Sequence, residues 1–110
     1  MTNSVKQMME AANAAVPRIS PAQAQQMIAS GNALVVDVRD GTEVQQSGMV
    51  AGAAHVPRGI LEFRADPDSS THDKAFTRDK TIILYCGSGG RAALAGKTLK
   101  DLGYQAVFNL

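Results

Sequence analysis

Six consecutive residues, Cys86-Gly87-Ser88-Gly89-Gly90-Arg91, have the types and order that suit chemistry. Cys86 is the chain's single cysteine, and a cysteine becomes a nucleophile once it is a thiolate. Three glycines are free to adopt positive φ and bend the backbone tightly, so that successive amide N–H groups converge. Such a concavity, reinforced by the positive end of a following helix, stabilises an anion at its centre. If that anion is the Cys86 sulfur, thiolate is favoured over thiol. Arg91 adds a permanent charge suited to a sulfonate, phosphate or similar oxyanion on an incoming substrate. Ser88 either bonds the sulfur or stabilises the turn. Taken singly, a strand-end cysteine is more often an inert small hydrophobe and glycines more often a plain turn. The unbroken succession of apolar strand, cysteine, glycines, arginine and helix favours the nucleophile.

The elements around the loop must hold it in place. Thr81-Ile82-Ile83-Leu84-Tyr85 is β-branched and apolar throughout, which predicts a buried strand, and it puts Cys86 at the carboxyl end where α/β proteins build their sites. Ala92, Ala95, Leu99 and Leu102 then recur at helical spacing until Gly103, and residues 105–110 resume as a last apolar strand. Leu34-Val35-Val36-Asp37-Val38 reads as a second buried strand. Its Asp37 could orient the loop or pair with an arginine, although acceptance of backbone hydrogen bonds is the favoured role.

Asp40 with Glu43 marks a helix start that runs to about Gly48, and Arg39 and Glu43, four apart, are expected to pair. Residues 50–57 predict a short strand ending at Pro57, and residues 59–65 a short helix. Residues 66–80 form a loop with turn chemistry and little to bury. Arg58 either faces the mouth of the Cys86 loop as an anion contact or is solvated.

At the start of the chain, Val5, Met8, Met9 and Ala12 lie at helical spacing behind a Ser4–Gln7 capping box. Arg18 and Ile19 are extended. Ser20-Pro21-Ala22-Gln23 combines an N-cap, proline at N1 and a capping-box glutamine, which predicts a helix over residues 21–30 with Gly31 just past its end. Strands alternating with helices imply parallel βαβ units, so the fold class is α/β.

At 110 residues with 45% hydrophobic and 19% charged content, the chain has the make-up of one globular domain. One thiol forms no internal disulfide, and no Cys/His cluster supplies the ligands of a zinc site. No metal or cofactor is expected, and His55 and His72 receive no role. A net charge of +1 without Lys/Arg runs gives no footprint for nucleic acid or an anionic membrane surface. No apolar stretch of signal-peptide or membrane-spanning length is present, so the expected location is a reducing cytoplasm.

Three segments in order carry a resemblance. CGSGGRA at residues 86–92 is similar to the active-site loop of single-domain rhodanese-like proteins, often Cys-Arg-Ser-Gly-x-Arg-Ser. DVRDGTEV at residues 37–44 is similar to that family's Asp-Val-Arg-x-x-x-Glu segment, and GMVAGAAHVP at residues 48–57 resembles its Gly-His-Ile-x-Gly-Ala-x-x-Ile-Pro segment. The resemblance spans residues 19–110. It implies a parallel sheet of about five strands flanked by helices on both faces, with residues 1–17 as an amphipathic extension and 18–110 as the domain. It also implies that Cys86 accepts the outer sulfur of thiosulfate or another small anionic donor and passes it to a thiol or cyanide, within a loop built by Gly87, Ser88, Gly89, Gly90 and Arg91.

Two rivals are a phosphatase or arsenate reductase and a non-catalytic rhodanese-like binding module. Four residues separate Cys86 from Arg91, whereas the phosphatase pattern His-Cys-x5-Arg has five and a preceding histidine where this chain has Tyr85. Retention of Cys86 argues against the non-catalytic module. Family members usually continue after Asn-Leu with a Gly-Gly turn and a further helix. The sequence stops at Leu110, so a fragment is the first expectation and a homodimer that covers the sheet the second.

Overall fold

The computed structural model describes residues 2–110. Helix starts follow the encoded caps. Ser4 accepts from the Gln7 amide while the Gln7 side chain accepts from the Ser4 amide, which opens α1 (Val5–Ala15). Ser20 and Gln23 repeat the arrangement ahead of α2 (Pro21–Ala29). Such reciprocal bonds satisfy donors that a helix start leaves without intrahelical partners. Gly31 follows α2 with φ of +84°, a conformation that costs glycine little.

The apolar runs form the centre of the sheet. β1 (Ala33–Asp37) and β3 (Thr81–Tyr85) pair in parallel over five positions, from Ala33 opposite Thr81 to Asp37 opposite Tyr85. β2 (Ala54–His55) lies beyond β1, and β4 (Val107–Asn109) beyond β3. The order is β2-β1-β3-β4, all parallel. About five strands were expected and four form among the described residues. Arg18 and Ile19 contribute only a single bridge, Arg18 to Asn109, because Pro17 lacks an N–H and the α2 cap at Ser20 follows at once. The strand expected over residues 50–57 shrinks to two residues because the chain turns at Gly52, whose φ is +81°.

Between the strands run α3 (Gly41–Ser47), a 3-10 turn over Arg58–Ile60 leading into α4 (Leu61–Ala65), and α5 (Gly90–Asp101). Alternate strand residues face opposite sides. Val36, Ile82, Leu84 and Val107 pack on Leu61 and Ala65 of α4 and on Ala92, Ala95 and Leu99 of α5. Val35 and Ile83 pack on the other side against Ile19, Ala24 and Met27.

Two features depart from the sequence pattern. The 66–80 loop does bury a large side chain: Phe76 is fully enclosed and meets Tyr104 edge-on, with centroids 6.4 Å apart. The Tyr104 hydroxyl donates to the Ala65 carbonyl at 2.7 Å, so neither ring strands a polar atom. In addition, the segment before residue 18 enters the core. α1 packs along α5, and Ala12 and Val16 are buried. The approach depends on Gly96, where a Cβ would lie 2.8 Å from both γ-carbons of Val16.

Candidate active site

β3 delivers Cys86 to the top of the sheet, and α5 begins four residues later. Between them Gly87 and Ser88 are exposed. Gly89 is buried, caps α5 and has φ of +95°, in the left-handed region that L-side chains rarely occupy. The bend turns the loop back on its own sulfur: the Gly89 N–H donates to Cys86 Sγ at 3.1 Å. Cys86 is half-buried and touches the core on one side.

A side chain absent from the sequence-based candidates supports the bend. Asn109, on β4, is buried and donates through Nδ2 to the Gly89 carbonyl at 3.0 Å. Its Oδ1 is buried without a hydrogen-bond partner among the described residues. The available signal was its place as the polar residue in the apolar run Ala106-Val107-Phe108-Asn109-Leu110. A buried amide in such a run demands a polar partner.

Arg91 stays by the loop, with Nη2 3.6 Å from the position a Gly87 Cβ would take, but it does not stand unpaired at the mouth. Its Nη1 and Nη2 bond Glu43 Oε1 and Oε2 at 2.6 and 2.9 Å. These bonds pull the Glu43 carboxyl down to about 2 and push the Arg91 guanidinium further up, with the charge of Cys86 adding a smaller push. The expected Arg39–Glu43 pair therefore does not form.

Arg39 turns instead to Asp37, bonding its carboxylate through Nε at 3.0 and 3.1 Å and through Nη2 at 2.7 Å. It also donates to Ser47 Oγ and the Gly48 carbonyl, both at 2.6 Å. The physical reason is burial. The Asp37 side chain is fully enclosed, and an enclosed carboxylate without a partner is far costlier than a half-exposed one. Burial alone would raise the Asp37 carboxyl, but the bonds from Arg39 outweigh it and hold the group below its ordinary value. The Arg39 guanidinium sits 5.7 Å from the centre of the Tyr85 ring, and the Tyr85 hydroxyl accepts from the Val50 amide at 3.0 Å. Asp37, Arg39 and Tyr85 thus brace the strand ends beneath Cys86.

Arg58 is not brought to the loop. It bonds Glu62 at 2.8 Å and Thr98 at 3.0 Å, and Thr98 lies two turns along α5, about 12 Å of helix rise from Gly90. Arg18, which carried no predicted role beyond an extended backbone, does reach the loop. Its Cζ and Nη2 lie 3.0 and 3.1 Å from the position of a Gly89 Cβ.

The family profile described as "Rhodanese-like domain" matches residues 20–110. The chain belongs to the rhodanese-like domain family. This rhodanese-like domain is 29% identical over 91 residues to a sulfurtransferase of Allochromatium vinosum, covering 83% of the chain and 77% of that relative. It is 26% identical over 102 residues to the human thiosulfate:glutathione sulfurtransferase, covering 87% and 88%. The domain spans about half (47%) of the length of a further relative, the YrkF protein of Bacillus subtilis. Among solved structures, a Rhodopseudomonas palustris protein of unknown function described as "Possible Tyrosine Phosphatase" superposes with a TM-score of 0.89 at 33% identity, over 99% of this chain and 84% of that one. Among the described residues, no helix of the rhodanese-like domain is long and apolar enough to cross a membrane.

Proposed function

We propose that the domain is a sulfurtransferase in which Cys86 carries sulfane sulfur as a persulfide. The observation that carries this reading is the 3.1 Å bond from the Gly89 N–H to Cys86 Sγ, made by a loop already bent around the sulfur. A donor amide aimed at sulfur stabilises the charge of a thiolate and, after transfer, of a persulfide. The names of the A. vinosum and human relatives support sulfur transfer as the chemistry.

With thiosulfate as donor, the Cys86 thiolate attacks the outer sulfur and a new S–S bond forms to Cys86. The original S–S bond breaks, its electron pair leaves with sulfite, and the three negative charges on the left equal those of persulfide plus sulfite on the right. A thiolate acceptor then attacks the outer persulfide sulfur, takes it as its own persulfide and returns the Cys86 thiolate. Cyanide accepts in the same way to give thiocyanate. Neither half-reaction transfers a proton to carbon or needs a redox cofactor. A reducing compartment such as the cytoplasm suits a thiol that must be free at the start of each cycle.

The R. palustris neighbour raises phosphoester hydrolysis as a second reading. Such chemistry needs the loop arginine to grip the phosphate, and here both terminal nitrogens of Arg91 are bound to Glu43. The loop is also one residue shorter than the phosphatase pattern. The Arg91 pairing bears on any oxyanion, and the loop length is the point that favours sulfur.

Mass spectrometry after incubation with thiosulfate tests the reading. The expected result is one added sulfur on Cys86, released by a thiol and absent from Cys86→Ser. Hydrolysis of an aryl phosphate without any sulfur adduct would replace the sulfurtransferase reading with the phosphatase one.

A further inference from the structure

The loop's own arginine is neutralised, yet the donor proposed above is a dianion approaching a thiolate. Some cation must offset that repulsion, since like charges brought together at a few ångströms oppose the encounter. Among the described residues, Arg39, Arg58 and Arg91 pair with carboxylates. Arg64 donates to the Thr71 carbonyl and Arg78 to the Leu102 carbonyl. Arg18 is left as the one arginine whose guanidinium has no hydrogen-bond or ion-pair partner among the described residues, and it lies against Gly89. Gly89 is the residue whose amide holds the Cys86 sulfur.

The placement is built into the fold. The Ile19 amide donates to the Asn109 carbonyl at 2.9 Å, and the Asn109 amide donates to the Pro17 carbonyl at 3.0 Å. The Asn109 side chain holds the Gly89 carbonyl. One residue therefore fixes both the backbone that carries Arg18 and the loop that Arg18 covers. The lack of a side chain at Gly89 gives the guanidinium its seat, because a Cβ there would collide with it. A guanidinium fork matches two oxygens of a sulfonate-type head at once.

We propose that Arg18, seated over Gly89, is the residue that recognises the oxyanion head of the sulfur donor and holds the sulfite that leaves. This deepens the sulfur-transfer reading and rests on it for the identity of the donor. Arg18 sets affinity for anions, while the Gly89 amide sets the reactivity of Cys86.

Two alkylating probes of Cys86 separate these roles without relying on turnover. In both reactions thiolate displaces iodide and a C–S bond forms, but iodoacetamide is neutral and iodoacetate carries a carboxylate. For Arg18→Gln the ratio of iodoacetate to iodoacetamide rates should fall about fivefold at low salt; a change in thiolate fraction affects both probes equally and cancels in the ratio. Arg18→Lys should recover part of the ratio, and the KM for thiosulfate should rise in Arg18→Gln and rise less in Arg18→Lys. Lys6→Gln removes the same net charge from α1 and should leave the ratio unchanged.

An unchanged ratio in Arg18→Gln overturns the proposal, as does an equal fall in Lys6→Gln. A parallel loss of both rates in Arg18→Gln leaves the ratio unchanged, assigns Arg18 to the fold or to the thiolate rather than to anion recognition, and overturns it too. Failure of wild type to gain sulfur from thiosulfate would remove the sulfur-transfer reading alone, because the probe ratio still reports anion recognition at Cys86.

Discussion

Glu43 and Arg91, 48 positions apart in sequence, are joined by two parallel charge-assisted bonds of 2.6 and 2.9 Å. The pair ties the first turn of α3 to the first turn of α5 and leaves Cys86 with a neutralised neighbour.

That pair gives acid stability a defined sign. Glu43 is held at about 2 in the fold against 4.5 ordinarily, so the folded state favours the charged form. Its contribution is complete above about pH 4.5, declines as the pH falls through that range, and is gone below about 2. Asp37, also lowered, acts in the same direction. Thermal midpoints measured from pH 6 down to 2.5 should fall for wild type and fall less steeply for Glu43→Gln. Identical slopes would show that the pair contributes nothing to folding.

Asn109→Ala removes one of the two donors to the carbonyl of the buried residue Gly89. That carbonyl still accepts from the Ala93 amide at 3.0 Å, so the loss is that of one hydrogen bond, about 0.5–1.5 kcal/mol. Urea unfolding should show that loss, and sulfur loading of Cys86 should slow as the bend at Gly89 loosens. A variant with wild-type midpoint and loading rate would show that Asn109 merely fills space.

Gly96→Ala puts a methyl group 2.8 Å from each γ-carbon of Val16. Forcing that contact costs about 1–3 kcal/mol. Val16→Ala alone is also destabilising, but combined with Gly96→Ala it should recover part of the loss, since the clashing carbons are gone. A double-mutant cycle measures the coupling, and strict additivity would mean that α1 simply shifts away.

Phe76→Ala should be among the costlier core truncations, at about 3–5 kcal/mol, although Phe76 lies in a connecting loop. It is 1% exposed and faces Tyr104 edge-on. A loss below about 1 kcal/mol in calorimetry or denaturant melts would show that the loop repacks without it.

What was legible in the sequence were the local signals. The Ser4–Gln7 and Ser20–Gln23 boxes, the left-handed turn at Gly31 and the buried run of Thr81–Tyr85 depend on neighbours a few residues away. The apolar strand and glycines were enough to predict the loop at Cys86. Illegible were the partners chosen across the fold. Arg39 and Glu43 sit at helical spacing, yet the buried carboxylate of Asp37 outcompetes Glu43 for Arg39, and Glu43 then reaches a residue on another helix. Asn109 meets Gly89 only because β4 ends beside the start of α5, which is a fact of sheet order rather than of spacing. Phe76 was hidden by its polar surroundings, which promised turns and concealed a core anchor.

The left-handed residue Gly89 is held from both ends, by Asn109 at its carbonyl and by the sulfur at its amide. Inserting one residue between Cys86 and Gly89, one way to reach the count of the phosphatase pattern, would move one of those attachments out of register with the other. An evolutionary or engineered passage between the two chemistries through that insertion would therefore not stay within the loop. It requires a matching change on β4, so the length of the loop and the identity of residue 109 should be inherited together.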